Sequence, residues 1–276
     1  MNYISDKCKT KYPVVLIHGA GFRDRKHLNY WGRIPKVLEK NGCKLYYGHQ
    51  DSWATVEHNA TVVKKRIEQI IAQTGADKVN LIAHSKGGLE SRYLISSFGM
   101  SDKIASLTTI ATPHHGSKTM DIILKLPKVL LRLVAVFANL WFRMLGDTKP
   151  DFYKVCGQFT TNYAEQFNLN NPDETGVYYQ SYAAVMNNSF SDMFLFIPHF
   201  VVKLIEGEND GLVTPKSAAW TNFRGVLKGT TNRGISHADE VDIRRMRLSR
   251  KESSGRIHDI CDVYCHITQE LKLLGY

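Results

Sequence analysis

The stretch KVNLIAHSKGG, residues 78–88, limits most strongly how this chain can fold. Residues 79–83 form a short apolar run that predicts a buried strand, and the glycines after Ser85 favour a sharp turn into a helix. In such a turn the residues two before and two after the serine approach each other, so both must be small, and here they are Ala83 and Gly87. The turn would hold the Ser85 hydroxyl clear of the sheet, where a base can reach it. The pattern predicts a nucleophilic serine, with a buried serine at an ordinary strand end as the alternative.

The chain has 276 residues, of which 43% are hydrophobic, and this is enough to bury the core of one sizeable domain. We expect a single domain over residues 1–276. The net charge of +10 at pH 7 is typical of proteins that bind nucleic acids or anionic lipid surfaces. No basic run is interleaved with aromatic residues, so we expect no nucleic-acid partner. The densest basic stretch predicts a solvated helix face, and its members are Arg244, Arg245, Arg247, Arg250 and Lys251.

The cysteines and the N-terminal segment bear on the compartment. The number of cysteines is odd, 5, and their spacings match no metal-ligand pattern, so we expect no disulfide framework. Residues 1–7 contain no apolar run of the kind found in signal peptides. The expected location is the cytoplasm, or the extracellular space if a leader has been removed.

Runs that predict strands alternate with runs that predict helices along most of the chain. Because strand, helix and strand follow one another repeatedly, we expect an α/β fold with a mostly parallel sheet and helices on both faces. The predicted strands are 13–17, 44–48, 79–83, 104–111 and 177–183, and the predicted helices of this part are 30–42 and 56–74.

The first strand runs into the glycine-rich loop His18-Gly19-Ala20-Gly21. Small residues let a ligand atom approach backbone N–H groups closely, so the loop is suited to half of an oxyanion hole. A phosphate-binding loop is the alternative, but the lysine and serine that end such a loop are missing, and Phe22 and Arg23 follow instead. The oxyanion interpretation is favoured once the serine turn is granted.

Residues 120–146 are crowded with apolar side chains and predict one helical segment. Its polar residues Lys128, Arg132, Asn139 and Arg143 fall within a narrow stripe, and they interrupt the apolar run too early for a transmembrane span. The alternatives are a buried core helix and a lid that turns its apolar face to lipid when it opens. An insertion after a sheet strand is where lids are attached, so we expect a lid insertion at approximately residues 117–165.

Two adjacent histidines, His114 and His115, follow the strand 104–111 and invite a metal interpretation. Neighbouring side chains point in different directions, and no Cys, Asp or Glu stands at ligand spacing beside them. We interpret them as loop residues near the mouth of the site.

A turn-rich loop, EGENDGLV, carries three acids that could orient a catalytic imidazole. We select Asp210 over Glu206 and Glu208 because it lies in the tight Asn-Asp-Gly turn. The base should follow the acid in the sequence. His237 lies in a loop before a predicted helix, whereas His258 and His266 belong to a C-terminal helical pattern of structural type.

Taken in order, these blocks resemble those of the bacterial triacylglycerol lipases of the α/β-hydrolase superfamily. The blocks are HGA at 18–20, AHSKGG at 83–88, TPHHGS at 112–117, NDGLV at 209–213 and HADE at 237–240, so the resemblance covers most of the chain. It implies that Ser85 is the nucleophile, His237 the general base and Asp210 its orienting acid. It places the oxyanion donors on the backbone N–H groups of Ala20 and Lys86. No cofactor is implied, and the partner is a lipid or ester substrate at a lipid–water interface.

Many members of that family bind a structural calcium ion. The resemblance assigns two of its ligands to Asp239 and Asp192, but a third falls on Ile243, which cannot coordinate calcium. We therefore expect no metal. Two other functions stay open: a short-chain carboxylesterase or polyester hydrolase with the same catalytic residues, and a non-enzymatic lipid-binding protein of this fold.

Overall fold

A computed structural model of the protein describes residues 5–25, 29–249 and 255–276. Residues 1–4 of the N-terminal segment, and Arg250 and Lys251 of the basic stretch, lie outside the described residues. Six strands form one sheet in the order β2-β1-β3-β4-β5-β6, and every neighbouring pair is parallel. The strands are β1 (Val14–Ile17), β2 (Leu45–Tyr47), β3 (Val79–His84), β4 (Ile104–Ile110), β5 (Tyr178–Ala184) and β6 (Phe223–Leu227).

Helices cover both faces of the sheet. They are α1 (Ile34–Lys40), α2 (Val56–Thr74), α3 (Lys86–Ser96), α4 (Lys118–Ile123), α5 (Lys128–Met144), α6 (Phe152–Gly157), α7 (Thr161–Asn170), α8 (Phe196–Ile205), α9 (Pro215–Ala218) and α10 (Ile260–Leu273). One apolar core joins α1 and α10 to the sheet around Trp31 and Tyr264, and a second joins α2 and α3 to it around Ile67 and Leu94. The predicted α/β fold is confirmed.

Local sequence signals set most of these boundaries. The predicted helix 56–74 is confirmed as α2, where the Thr55 side chain accepts a hydrogen bond from the N–H of His58 and Gly75 ends the helix at φ 69°. The predicted helix 30–42 is longer than α1, which begins at Ile34 and carries Pro35 in its first turn.

Four helices, α4 to α7, lie between β4 and β5. The prediction of one helix over 120–146 is wrong, because α4 ends at Ile123 and α5 begins after Pro127, whose ring removes a backbone donor and disfavours helix before it. Only Ala135 of α5 is buried, so a buried core helix is excluded. Nine large apolar residues of α5 are 48–74% exposed: Val129, Leu130, Leu133, Val134, Val136, Phe137, Leu140, Trp141 and Met144.

Two smaller expectations are corrected near the C-terminus. His258 precedes α10 and does not belong to it. The described part of the basic stretch, with Arg244, Arg245 and Arg247, forms turns and no helix. Arg244 is instead held by two buried carboxylates, as shown below.

Candidate active site

Ser85 occupies the strained turn that the sequence predicts. It links β3 directly to α3 with φ 54° and ψ −128°, a conformation that non-glycine residues rarely adopt. A Cβ atom on Gly87 would lie 2.4 Å from the carbonyl oxygen of Ile17, so only glycine allows the turn to approach β1 this closely. The fold therefore presents the Ser85 side chain at the carboxyl end of the sheet, where parallel sheets bind their ligands.

The glycine-rich loop after β1 lies directly against this serine. A Cβ atom on Gly19 would be 2.6 Å from Ser85 Cβ and 2.8 Å from the Tyr30 hydroxyl. Ala20 follows Gly19, and its N–H donates no backbone hydrogen bond to any residue within the described ranges. Lys86 is the first residue of α3, where amides have no intrahelical acceptor. The two predicted oxyanion donors thus belong to two segments that meet at Ser85.

His237 is hydrogen-bonded to the predicted acid. Its Nδ1 lies 2.8 Å from Asp210 Oδ2, and its backbone N–H donates to the Asp210 carbonyl oxygen at 2.8 Å. The other carboxylate oxygen of Asp210 accepts from the N–H groups of Leu212 and Val213, at 2.8 Å each. Asp210 is fully buried. This turn fixes the carboxylate so that it can hold one tautomer of the imidazole.

The other acids and histidines considered from the sequence lie elsewhere. Glu206 accepts hydrogen bonds from the hydroxyl groups of Ser117 and Thr119 at the start of α4, and Glu208 is exposed. His258 pairs with Asp262 at 3.5 Å. His266 is exposed on α10.

The imidazole of His237 lies beside the serine turn. Its ring centroid is 4.4 Å from that of His84, the residue that immediately precedes Ser85. The structure therefore brings the His237–Asp210 pair beside the turn that carries Ser85, although the three residues are far apart in the sequence.

A buried polar network behind His237 was not predicted from the sequence. His84 Nε2 lies 2.8 Å from Glu240 Oε2, and His84 Nδ1 lies 2.7 Å from the Tyr30 hydroxyl. Burial raises the pKa of Glu240 well above its usual value, and the nearby Asp210 charge adds to this; burial also lowers the pKa of His84 well below its usual value. Both shifts favour the neutral form of the group concerned. The spacing of Glu240, three residues after His237, was the only sequence signal for it.

Glu240 does not compete with Asp210 for the imidazole of His237. Its Oε2 is 3.6 Å from His237 Nδ1, compared with 2.8 Å for Asp210 Oδ2. A protonated Glu240 can donate a hydrogen bond to His84 Nε2, which leaves Asp210 as the nearer hydrogen-bond partner of His237.

One group of side chains in the described part of the chain has the spacing of metal ligands: His84, His237 and Glu240, whose ligand atoms lie within 4.8 Å of one another. These atoms already serve as hydrogen-bond partners within the network and toward Asp210. The adjacent histidines His114 and His115 lie in the turn after β4, which confirms that they are loop residues; their position near the mouth of the site stays a prediction. His114 is buried against Thr109, and the exposed His115 contacts the Ala219 carbonyl oxygen.

The residues that the resemblance assigns to calcium do not fit that ion. The guanidinium group of Arg244 lies between the two carboxylates, with Nη2 2.9 Å from Asp192 Oδ2 and Nε 3.4 Å from Asp239 Oδ1. The Ser236 hydroxyl also donates to Asp192 at 2.9 Å. A fixed positive charge thus holds together the loops that carry Asp192 and His237.

Comparison with known proteins identifies the family of the chain. A family model described as palmitoyl protein thioesterase matches residues 13–240. The chain belongs to this family. A relative, Triacylglycerol lipase 2 of Saccharomyces cerevisiae, is 30% identical over 285 residues, which cover 98% of this chain and 78% of that protein. A triacylglycerol lipase of Pseudarthrobacter phenanthrenivorans is 31% identical over 176 residues, covering 59% of this chain and 54% of that protein. The relatives come from yeast as well as bacteria, so the family extends beyond bacteria.

Solved structures with a similar fold include lipases and esterases. A Bacillus licheniformis lipase in its mature form aligns with a TM-score of 0.62 at 21% identity, over 87% of this chain and 89% of that one. A metagenomic carboxyl esterase aligns with a TM-score of 0.69 at 15% identity, over 95% of this chain and 76% of that one. These similarities show that the chain has the α/β-hydrolase fold. Together with the sequence relatives, they show that the chain is a serine hydrolase. No described helix is long and apolar enough to cross a membrane.

Proposed function

We propose that this serine hydrolase is a lipase that cleaves carboxylic esters of lipids, with triacylglycerol as the representative substrate. The observation that carries the proposal is the 2.8 Å hydrogen bond between Asp210 and His237, beside a serine held at φ 54°. Ser85 acts as the nucleophile, His237 as the general base and Asp210 as the acid that orients it. The sequence relationship to triacylglycerol lipases supports the substrate class.

Catalysis proceeds by acyl transfer in two halves. His237 accepts the Ser85 hydroxyl proton as the oxygen attacks the ester carbonyl, and the backbone N–H groups of Ala20 and Lys86 stabilise the oxyanion that forms. The tetrahedral intermediate expels the alcohol, which takes the proton from His237. Water then attacks the acyl-enzyme with His237 again as the base, and the fatty acid and free Ser85 are released.

The insertion at approximately 117–165 is proposed to meet the lipid surface, with α5 as the lid. The nine exposed apolar residues of α5 form a face of the kind that lies in a membrane interface. Further exposed apolar residues follow β5, and among them Met193, Phe194 and Ile197 are 88, 93 and 69% exposed. The exposed Lys128 and Arg132 on α5 and the net charge of +10 favour an anionic surface.

Hydrolysis rates on p-nitrophenyl esters of increasing acyl length, and on triacylglycerol below and above its solubility limit, test the substrate class. A lipase is expected to accept long acyl chains and to accelerate when an emulsion forms. Activity confined to short, dissolved esters would favour the alternative of a carboxylesterase or polyester hydrolase with the same catalytic residues.

A second candidate substrate is an acyl thioester, which the match to the palmitoyl protein thioesterase model favours. The same acyl-enzyme forms from a thioester, with a thiol as the leaving group. Rates on palmitoyl thioester and on p-nitrophenyl palmitate, measured side by side, separate the two. A higher kcat/KM on the thioester would reverse the order of the candidates.

A further inference from the structure

The side chain of Lys86 runs into the protein interior and not toward solvent. It is fully buried, and its ammonium group donates a hydrogen bond to the Ala54 carbonyl oxygen at 2.8 Å. It also donates to Glu90 Oε1, one helical turn further along α3. A buried charge is costly without partners, so this arrangement holds the first turn of α3 in one position.

Glu90 is equally buried and is the centre of a larger network. Asn59 Nδ2 donates to its Oε1 at 2.7 Å, and Gln50 Nε2 donates to its Oε2 at 3.2 Å. With the ammonium of Lys86, its carboxylate therefore accepts hydrogen bonds from three side chains. None of these groups belongs to the proposed triad.

Gln50 extends the network to the glycine-rich loop. Its Nε2 also donates to the backbone carbonyl oxygen of His18 at 3.0 Å, and the backbone carbonyl oxygen of Gln50 lies 3.0 Å from His18 Nε2. His18 is two residues before Ala20. A continuous chain of hydrogen bonds thus joins the backbone of one predicted oxyanion segment to the side chain of Lys86, whose N–H is the other predicted donor.

The two segments also touch through their backbones. A Cβ atom on Gly87 would lie 2.6 Å from the same carbonyl oxygen of His18. No side chain separates the segments there, so their spacing is set by β1–β3 pairing and backbone packing together with the polar network. Two amides must point at one oxygen atom to within a fraction of an ångström for an oxyanion hole to act.

We propose that Gln50 and Glu90 are positioning residues that set the geometry of the oxyanion hole. They touch no reacting atom; they hold the Ala20 and Lys86 amides at the spacing that the tetrahedral intermediate requires. This inference rests on the proposed function, since it needs those two amides to be the donors. It adds a second arrangement to the triad: a buried Lys86–Glu90 pair tied through Gln50 to the loop after β1.

The test is Gln50→Leu, with Gln180→Leu as the matched control. Both glutamines are buried, at 0 and 1% exposure, and in the described part of the chain the Oε1 atom of each has no hydrogen-bond partner. Gln180 lies on β5 and donates to the Thr108 hydroxyl of β4 at 2.9 Å, so this hydrogen bond involves neither oxyanion segment. The two variants are expected to lose similar stability, whereas only Gln50→Leu is expected to lose at least ~10-fold in kcat on a soluble ester.

Two further readouts separate positioning from a general structural effect. In Gln50→Leu, KM is expected to stay within about threefold of the parental value. The Ki of a trifluoromethyl ketone inhibitor should rise in step with the loss of kcat, because the adduct of this ketone with Ser85 places an oxyanion in the oxyanion hole. The acid limb of the pH–rate profile should not move, since His237 and Asp210 are untouched. Equal kcat in Gln50→Leu and Gln180→Leu would overturn the proposal.

A double variant, Lys86→Met with Glu90→Leu, covers the case in which Gln50→Leu folds poorly. It removes both buried charges together and keeps the Lys86 backbone N–H, and such replacements are often close to neutral in stability. A folded double variant with parental kcat would also refute the proposal. Ser85→Ala separates failure of the proposed function from failure of the positioning inference. If Ser85→Ala stays active, the proposed function fails. If it is inactive while Gln50→Leu matches Gln180→Leu and the double variant keeps the parental kcat, only the positioning inference fails.

Discussion

Gly19→Ala is the substitution for which the structure gives the sharpest expectation. Gly19 lies between the side chains of Ser85 and Tyr30, immediately before the proposed oxyanion donor Ala20. The added methyl group would be 2.6 Å from Ser85 Cβ, whereas ordinary contacts begin near 3.4 Å. The backbone of Gly19 does not have a positive φ, so the effect is one of space alone. The loop and the serine turn must move apart by about 0.8 Å.

This displacement should affect catalysis far more than stability. Overfilling a packed interior typically costs about 1–3 kcal/mol of folding free energy, which corresponds to roughly 2–12 °C in Tm for a domain of this size. A misplacement of about 1 Å at reacting groups can cost on the order of 10²-fold in rate. We therefore expect a folded variant with kcat lowered about 100-fold and KM changed little.

The assay is steady-state hydrolysis of a soluble p-nitrophenyl ester, with Tm measured on the same samples. Gly157→Ala is the matched control, because no described atom lies within 4 Å of the added methyl group and Gly157 ends α6 without a positive φ. The control should keep its activity and match or exceed the parental Tm. If Gly19→Ala kept kcat within threefold of the parent, the close approach of the loop to Ser85 would have no catalytic meaning.

Three further expectations follow from the same site. Asp210→Asn should stay folded and lose on the order of 10⁴-fold in kcat through the wrong imidazole tautomer, and parental activity would show that another group orients His237. Burial raises the pKa of Glu240, so the folded protein keeps a proton that the unfolded chain releases above about pH 4.3. The stability of the parent should therefore fall relative to that of Glu240→Gln as the pH rises above this value. Tm values of the two proteins that change in parallel with pH would contradict a raised pKa of Glu240. A double variant, Phe137→Ser with Trp141→Ser, should lose at most a few degrees in Tm, because the two side chains are 71 and 57% exposed. Its hydrolysis rate should fall on emulsified triacylglycerol but not on a soluble ester. Equal losses of rate on both substrates would argue against the lid.

Local patterns in the sequence were sufficient for the elements that form from neighbouring residues. The serine turn was predictable because small residues must flank Ser85, and α2 was predictable because its cap residues and apolar period agree. The choice of Asp210 over Glu206 rested on turn chemistry, and the structure places Asp210 against His237 while Glu206 contacts the start of α4.

The contacts that the sequence did not reveal join distant residues. His84 and Glu240 are 156 positions apart, and no local pattern indicates that a glutamate after His237 will be buried beside a histidine before Ser85. The sequence places Arg244 in a basic stretch that predicts a solvated face. In the structure it lies between Asp192 and Asp239, and this position depends on how two loops meet. Gln50 carries no sequence motif at all, since its role depends on contacts with Glu90 and the loop after β1.

The most direct test of the nucleophile is to find which residue becomes covalently modified. The protein is treated with diethyl p-nitrophenyl phosphate, which forms a stable adduct with an activated serine, and the modified peptide is identified by mass spectrometry. We expect a single diethylphosphoryl group on Ser85, formed in proportion to the loss of hydrolase activity and absent from the Ser85→Ala variant. An adduct on another side chain that accounts for the loss of activity would contradict the assignment of Ser85 and, with it, the proposed triad.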